Sequence, residues 1–170
     1  MKIRPGFARI VVLVIVFLTT SCAKEVDAPT TESMPVPTPA NNITAEDVAK
    51  LKWIEGTWRG MDGDKPFFER YRLEGTTLIV EGFPDEKLAS VSDTSRFELR
   101  DGAFGKFEGD GGSRASSITA DSVQFVPAKP GTGNMFRFER QPTGWRAVLE
   151  WPATADKPAR QKIYNMEAVK

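Results

Sequence analysis

After residue 55 the chain alternates hydrophobic and polar positions with period two. Phe67, Glu69, Tyr71 and Leu73 fall on one face of a segment whose other face carries Phe68, Arg70 and Arg72. Phe97 and Leu99 alternate with Arg96, Glu98 and Arg100, and Phe136 and Phe138 alternate with Met135, Arg137 and Glu139. Trp145, Ala147, Leu149 and Trp151 are set against Arg146, Val148 and Glu150, and Tyr164, Met166 and Ala168 close the series within a strand expected from Ile163 to Val169. A strand sends successive side chains to opposite faces, so each run predicts a half-buried strand. Turn residues punctuate the pattern at Asp62-Gly63, Glu74-Gly75, Asp101-Gly102, Asp110-Gly111-Gly112, Pro130 to Gly133 and Pro142 to Gly144. The spacing predicts about 8–10 short strands. Strands joined by tight turns pair antiparallel, and closing the sheet removes its exposed edges. The expected fold is therefore all-β, an antiparallel up-and-down β-barrel, with a β-sandwich as the alternative.

A short N-terminal helix precedes the strands. Thr44 is a helix-capping residue with an acid, Asp47, three positions on, and Val48 and Leu51 share one face of about two turns ending near Trp53. Ahead of it, residues 23–43 lack apolar periodicity and contain Pro29, Pro35, Pro37 and Pro39, the composition of an extended, disordered tether. The sequence thus divides into a leader at 1–22, a tether at 23–43 and a folded domain at 44–170.

The leader has a basic start (Lys2, Arg4, Arg9), an apolar run from Ile10 to Leu18, and then Thr19-Thr20-Ser21-Cys22. The run is half the length of a membrane-spanning helix and matches a secretory signal. Its end resembles the lipobox of bacterial lipoproteins, with Thr19 where that motif carries Leu. The resemblance implies acylation of Cys22, the only cysteine, and attachment to the cell envelope, with Ala23 after it pointing to the outer membrane facing the periplasm. A domain with no other cysteine has no disulfide, so its core carries its own stability.

Gly56-Thr57-Trp58, following the short helix, resembles the Gly-x-Trp opening motif of the calycin (lipocalin-like) superfamily. That resemblance implies a closed barrel in which Trp58 packs across one end against a basic side chain of the last strand, here Arg160 or Lys162. Gly56, Trp58 and Arg160 are then the expected closure. Gly-Thr-Trp-Arg-Gly is also similar to the start of nitrobindin-type haem barrels, which ligate iron through histidine; this chain has no histidine.

Without histidine, and with Cys22 committed to the anchor, histidine-based nucleophile systems and His/Cys zinc sites are excluded. No cofactor or metal is expected. Asp62-Gly63-Asp64 reads as a hairpin turn. Loss of Lys2, Arg4 and Arg9 with the leader takes the balance of basic and acidic residues from 23 against 23 to 20 against 23, the wrong sign for nucleic acid. What remains is carboxylates, arginines and aromatics. With the more apolar faces inward, Glu69, Tyr71, Phe97, Phe136, Phe138, Trp145 and Tyr164 are the candidate lining of a ligand cavity, among further inward positions Phe67, Leu78, Val80, Leu99, Leu149, Trp151 and Met166. This lining suits an apolar ligand with a polar handle. A shift of register would instead turn Glu69 to solvent beside Arg70 and Arg72. Three functions fit: a non-enzymatic binding module for a small hydrophobic or amphipathic molecule, an envelope interaction protein with a solid barrel, and a carboxylate enzyme using Glu69.

Overall fold

Thr44 begins the helical segment with a reciprocal cap: its hydroxyl accepts from the Asp47 amide, and the Asp47 carboxylate accepts from the Thr44 amide. The computed structural model describes residues 37–108 and 112–169. Cys22, the leader and residues 23–36 of the expected tether lie outside the described residues. Helix α1 (Ala45–Ala49) tightens into a 3₁₀ turn over Lys50–Ile54, one residue beyond the expected end. Val48, Leu51 and Ile54 are all fully buried and plug one end of the core.

Ten strands follow: β1 (Gly56–Asp62), β2 (Lys65–Glu74), β3 (Thr77–Phe83), β4 (Asp93–Arg100), β5 (Ala103–Lys106), β6 (Ser113–Ile118), β7 (Ser122–Pro127), β8 (Met135–Arg140), β9 (Trp145–Trp151) and β10 (Arg160–Ala168). Each pairs antiparallel with its sequence neighbours, and β1 pairs with β10, so the sheet closes on itself. The expected up-and-down barrel is therefore the fold, and closure excludes the sandwich.

Two findings move the expected boundaries. The last strand begins at Arg160 rather than Ile163, because Arg160, Gln161 and Lys162 keep register with Trp151, Glu150 and Leu149 although they are exposed. Residues 40–43, assigned to the tether, belong to the barrel body. β5 meets β6 only through Gly105↔Arg114 and Lys106↔Ser113, and Ala40 donates to the Ala115 carbonyl at 2.9 Å just past that pairing. The Ile43 amide donates to the Gly102 carbonyl at 2.8 Å, and its side chain is buried in the core.

The interior is aromatic. Phe97, Phe104 and Phe125 interlock at centroid distances of 5.0–6.5 Å, and Trp145 sits among Trp58, Tyr71 and Phe138 at 5.0–6.1 Å. Edge and tilted packing of this kind adds to the stabilisation from area burial alone. Outside the wall, Phe68 pairs with Phe83 across β2 and β3, and the Arg70 guanidinium lies 4.8 Å from the Phe83 ring.

Candidate ligand cavity

The period-two alternation of β2 turns Phe67, Glu69 and Tyr71 into the barrel. Tyr71 is 3% exposed and Glu69 is half-buried, so the register that would send Glu69 to solvent is not adopted. At the end of the barrel away from the helix, the interior is not filled. A cavity of about 520 Å³ is lined by Asp62, Phe67, Glu69, Tyr71, Asn134, Phe136, Phe138, Ala147, Leu149, Tyr164 and Met166. Of the expected lining, Glu69, Tyr71, Phe136, Phe138 and Tyr164 are brought together here.

Phe97 and Trp145 are not part of that lining. Phe97 is locked between Phe104, Phe125 and Phe136, and Trp145, 1% exposed, packs into the helix-proximal core. The Trp145 indole N–H is buried with no hydrogen-bond partner among the described residues.

The polar chemistry of the cavity centres on one pair. The Tyr71 hydroxyl donates to Glu69 Oε2 at 2.7 Å. Burial pushes the Glu69 carboxyl above its ordinary range; the Tyr71 hydrogen bond opposes this and the nearby Asp93 charge adds to it. The Tyr71 phenol is raised well above its usual value, by burial first and by Glu69 second. The pair therefore offers a carboxyl inclined to hold or share a proton, in a cavity whose other polar lining residues are Asp62, Asn134 and Tyr164.

Closure of the barrel is uneven beside this cavity. β1 and β10 pair only at Trp58↔Ala168 and Arg59↔Glu167, supported by a Val169 amide bond to the Thr57 carbonyl at 2.9 Å. Beyond Arg59, residues Gly60–Asp62 have no β10 partner. Two side-chain contacts cover that unpaired stretch. Lys162 Nζ reaches Asp62 Oδ1 at 2.6 Å, and the Phe67 ring meets Tyr164 edge-on at 5.1 Å. Gly60 is required for the second contact, because a Cβ there would lie 2.2 Å from the Phe67 ring.

The expected pairing of Trp58 with a basic side chain of the last strand is not formed. Trp58 pairs with Ala168, which places Arg160 eight residues along β10, where its guanidinium lies 4.2 Å from the Trp151 ring. Lys162 is held by Asp62 instead. Trp58 still closes the helix end, but its indole donates to the Ile54 carbonyl at 2.7 Å and its ring packs against Trp145. Gly56 leads into β1 with φ +134, a conformation that side chains disfavour.

Asp62, Asn134 and Ala147 are cavity residues that the candidate lining lacked. Asp62 belongs to the Asp62-Gly63 turn signal, yet as the last residue of β1 it shares parity with Trp58 and Gly60 and so falls on the inner face. Among the described residues, no group of three or more His, Cys, Asp or Glu side chains is placed to hold a metal ion, and no helix is long and apolar enough to cross a membrane. No protein-family model, curated protein or solved structure matches this chain.

Proposed function

We propose that the barrel is a binding module that takes one small amphipathic ligand into the cavity beside β2. The observation that carries this reading is the Tyr71–Glu69 pair facing Phe136, Phe138 and Leu149 across the cavity: the carboxyl accepts only the Tyr71 hydrogen bond from side chains among the described residues. Partial burial of a carboxyl with unused acceptor capacity carries a desolvation cost that a ligand donor would offset. The ligand class is therefore an apolar body, seated against Phe136, Phe138, Leu149 and Tyr164, with a hydroxyl or amine handle directed to Glu69. Acylation at Cys22 would hold such a module at an envelope membrane facing the periplasm, and the mass of the mature N-terminus tests that part separately.

Native mass spectrometry of the full-length protein from its own host, with organic extraction of what co-purifies, tests the binding reading. A discrete small amphiphile is expected, and Glu69→Gln should weaken its retention. A bare mass, together with no uptake of decylammonium, would show that the cavity is not a ligand site.

A further inference from the structure

A second concavity, independent of the lumen, lies at the far rim, between the β7–β8 connection, the β9–β10 connection and residues 37–39. Its volume is about 560 Å³, within the range of small-molecule sites. Six of its wall residues are prolines: Pro37, Pro39, Pro127, Pro130, Pro152 and Pro158. Proline has no amide hydrogen and a fixed φ, so these walls are apolar and largely pre-organised, which lowers the ordering cost of binding. Val126, Met135 and Trp151 complete the apolar surface.

The charge on this surface has one sign. Among the described residues, Lys157 and Arg160 are the charged lining residues, and none of the lining is an acid. Neither cation takes part in the ion pairs formed among the described residues. Arg160 is stacked on Trp151, and Lys157 is set by a closed turn in which the Thr154 amide donates to the Lys157 carbonyl at 2.8 Å and the Lys157 amide returns to the Thr154 carbonyl at 3.3 Å. On the adjoining strand the Glu150 carboxylate accepts from Gln161 at 3.0 Å. On the opposite wall the Thr132 hydroxyl ties back to the Lys129 carbonyl at 2.7 Å.

We propose that this rim groove is a second binding site, for a free amphiphile with a carboxylate head. The head meets Lys157 and Arg160, and the apolar chain lies along Trp151, Met135 and the prolines. The site does not depend on the lumen, whose charged lining residues are the acids Asp62 and Glu69.

Isothermal titration calorimetry of the full-length protein with sodium decanoate, below its micellar concentration, tests the proposal. Saturable binding is expected, weakened about tenfold in the Lys157→Gln/Arg160→Gln double variant, the size of losing two partly exposed charge-assisted contacts. Decanoate should also change tryptophan fluorescence, and Trp151→Phe should remove that change while a binding heat persists. Absence of decanoate binding, an affinity unaltered in the double variant, or a fluorescence change that survives Trp151→Phe would each overturn the proposal. Decylammonium, the lumen probe, should bind the double variant as it binds the wild type, so failure of either site is read separately.

Discussion

Removing one oxygen atom, by Tyr71→Phe, isolates the interaction on which the lumen site rests. The Tyr71 ring is buried and stays so, while the hydroxyl that donates to Glu69 Oε2 at 2.7 Å is lost. A hydrogen bond to an ionised partner contributes about 2 kcal/mol, and one between neutral groups about 1 kcal/mol. The cost of the substitution thus depends on the protonation of Glu69. Burial raises the Glu69 pKa above its unfolded value of 4.5, so the folded state binds the proton more tightly than the unfolded chain. Stability associated with this group is therefore full below the unfolded value and is lost as pH rises through the folded one. Tyr71 limits that loss by favouring the carboxylate, and without it the loss is larger. The gap between wild type and Tyr71→Phe should accordingly widen from about 1 kcal/mol near pH 4 to about 2 kcal/mol near pH 8. At the higher pH this is roughly 6–10 °C in Tm for a domain of this size.

Urea denaturation at the two pH values measures the gap directly. The same substitution in a Glu69→Gln background completes a double-mutant cycle, with an expected coupling of about 1 kcal/mol at the higher pH. A cost equal at both pH values, with no coupling to residue 69, would refute the argument: the phenol and the carboxyl would not be bonded in solution.

Three other consequences are open to measurement. A Cβ at Gly105 would lie 2.0 Å from the Ser113 carbonyl oxygen and 2.9 Å from the Arg114 Cα. Since both are backbone atoms, Gly105→Ala should cost about 2–4 kcal/mol in urea denaturation, and a loss below that range would mean β5 and β6 can separate freely. Asp62→Asn removes the Lys162 ion pair across the unpaired part of the β1–β10 seam, so amide exchange at Gly60–Asp62 should speed up while Trp58 and Arg59 keep their protection; uniform protection would show that the side chains do not hold the seam. Thr44→Ala should cost about 1 kcal/mol through the lost cap. The Asp47 carboxyl is held at about 2, first by Lys50 and then by Thr44, against an unfolded value of 3.8, so its contribution is full above the unfolded value and fades as pH falls toward the folded one; an acid limb that does not shift in Thr44→Ala would contradict this.

The fold was legible because period-two alternation is a local signal. Phe67-Glu69-Tyr71 and Trp145-Ala147-Leu149 declare an inner face without knowledge of what they pack against, and that face is the one observed. β5 and β6 were weakly marked, because β5 is only four residues long and the buried positions of β6 are the small residues Ser113 and Ala115. The division of the inner face into filled core and open cavity was not legible at all. Phe97 and Phe136 sit in equivalent patterns, and only their height in the barrel separates a packed ring from a lining one. Arg160 shows the same limit. Its residue type fitted the expected contact with Trp58, but strand register, a long-range property, carried it to Trp151.

That difference in height also explains how a barrel of this width can combine a packed core with an open cavity. Eight strands enclose just enough room for side chains or one small molecule, and ten enclose more. Here the surplus is not spread evenly. Val48, Leu51, Ile54, Trp58, Trp145 and the Phe97–Phe104–Phe125 cluster are packed into one continuous core. The remaining space opens at the end away from the helix, where Glu69 and Tyr71 lie with Asp62 and Asn134 along the wall. An acid there disfavours anionic heads, and the Lys157–Arg160 pair at the rim disfavours cationic ones. If both proposals hold, each site would reject the other's ligand through charge, and the two amphiphile classes would be sorted between them by head group rather than by chain length.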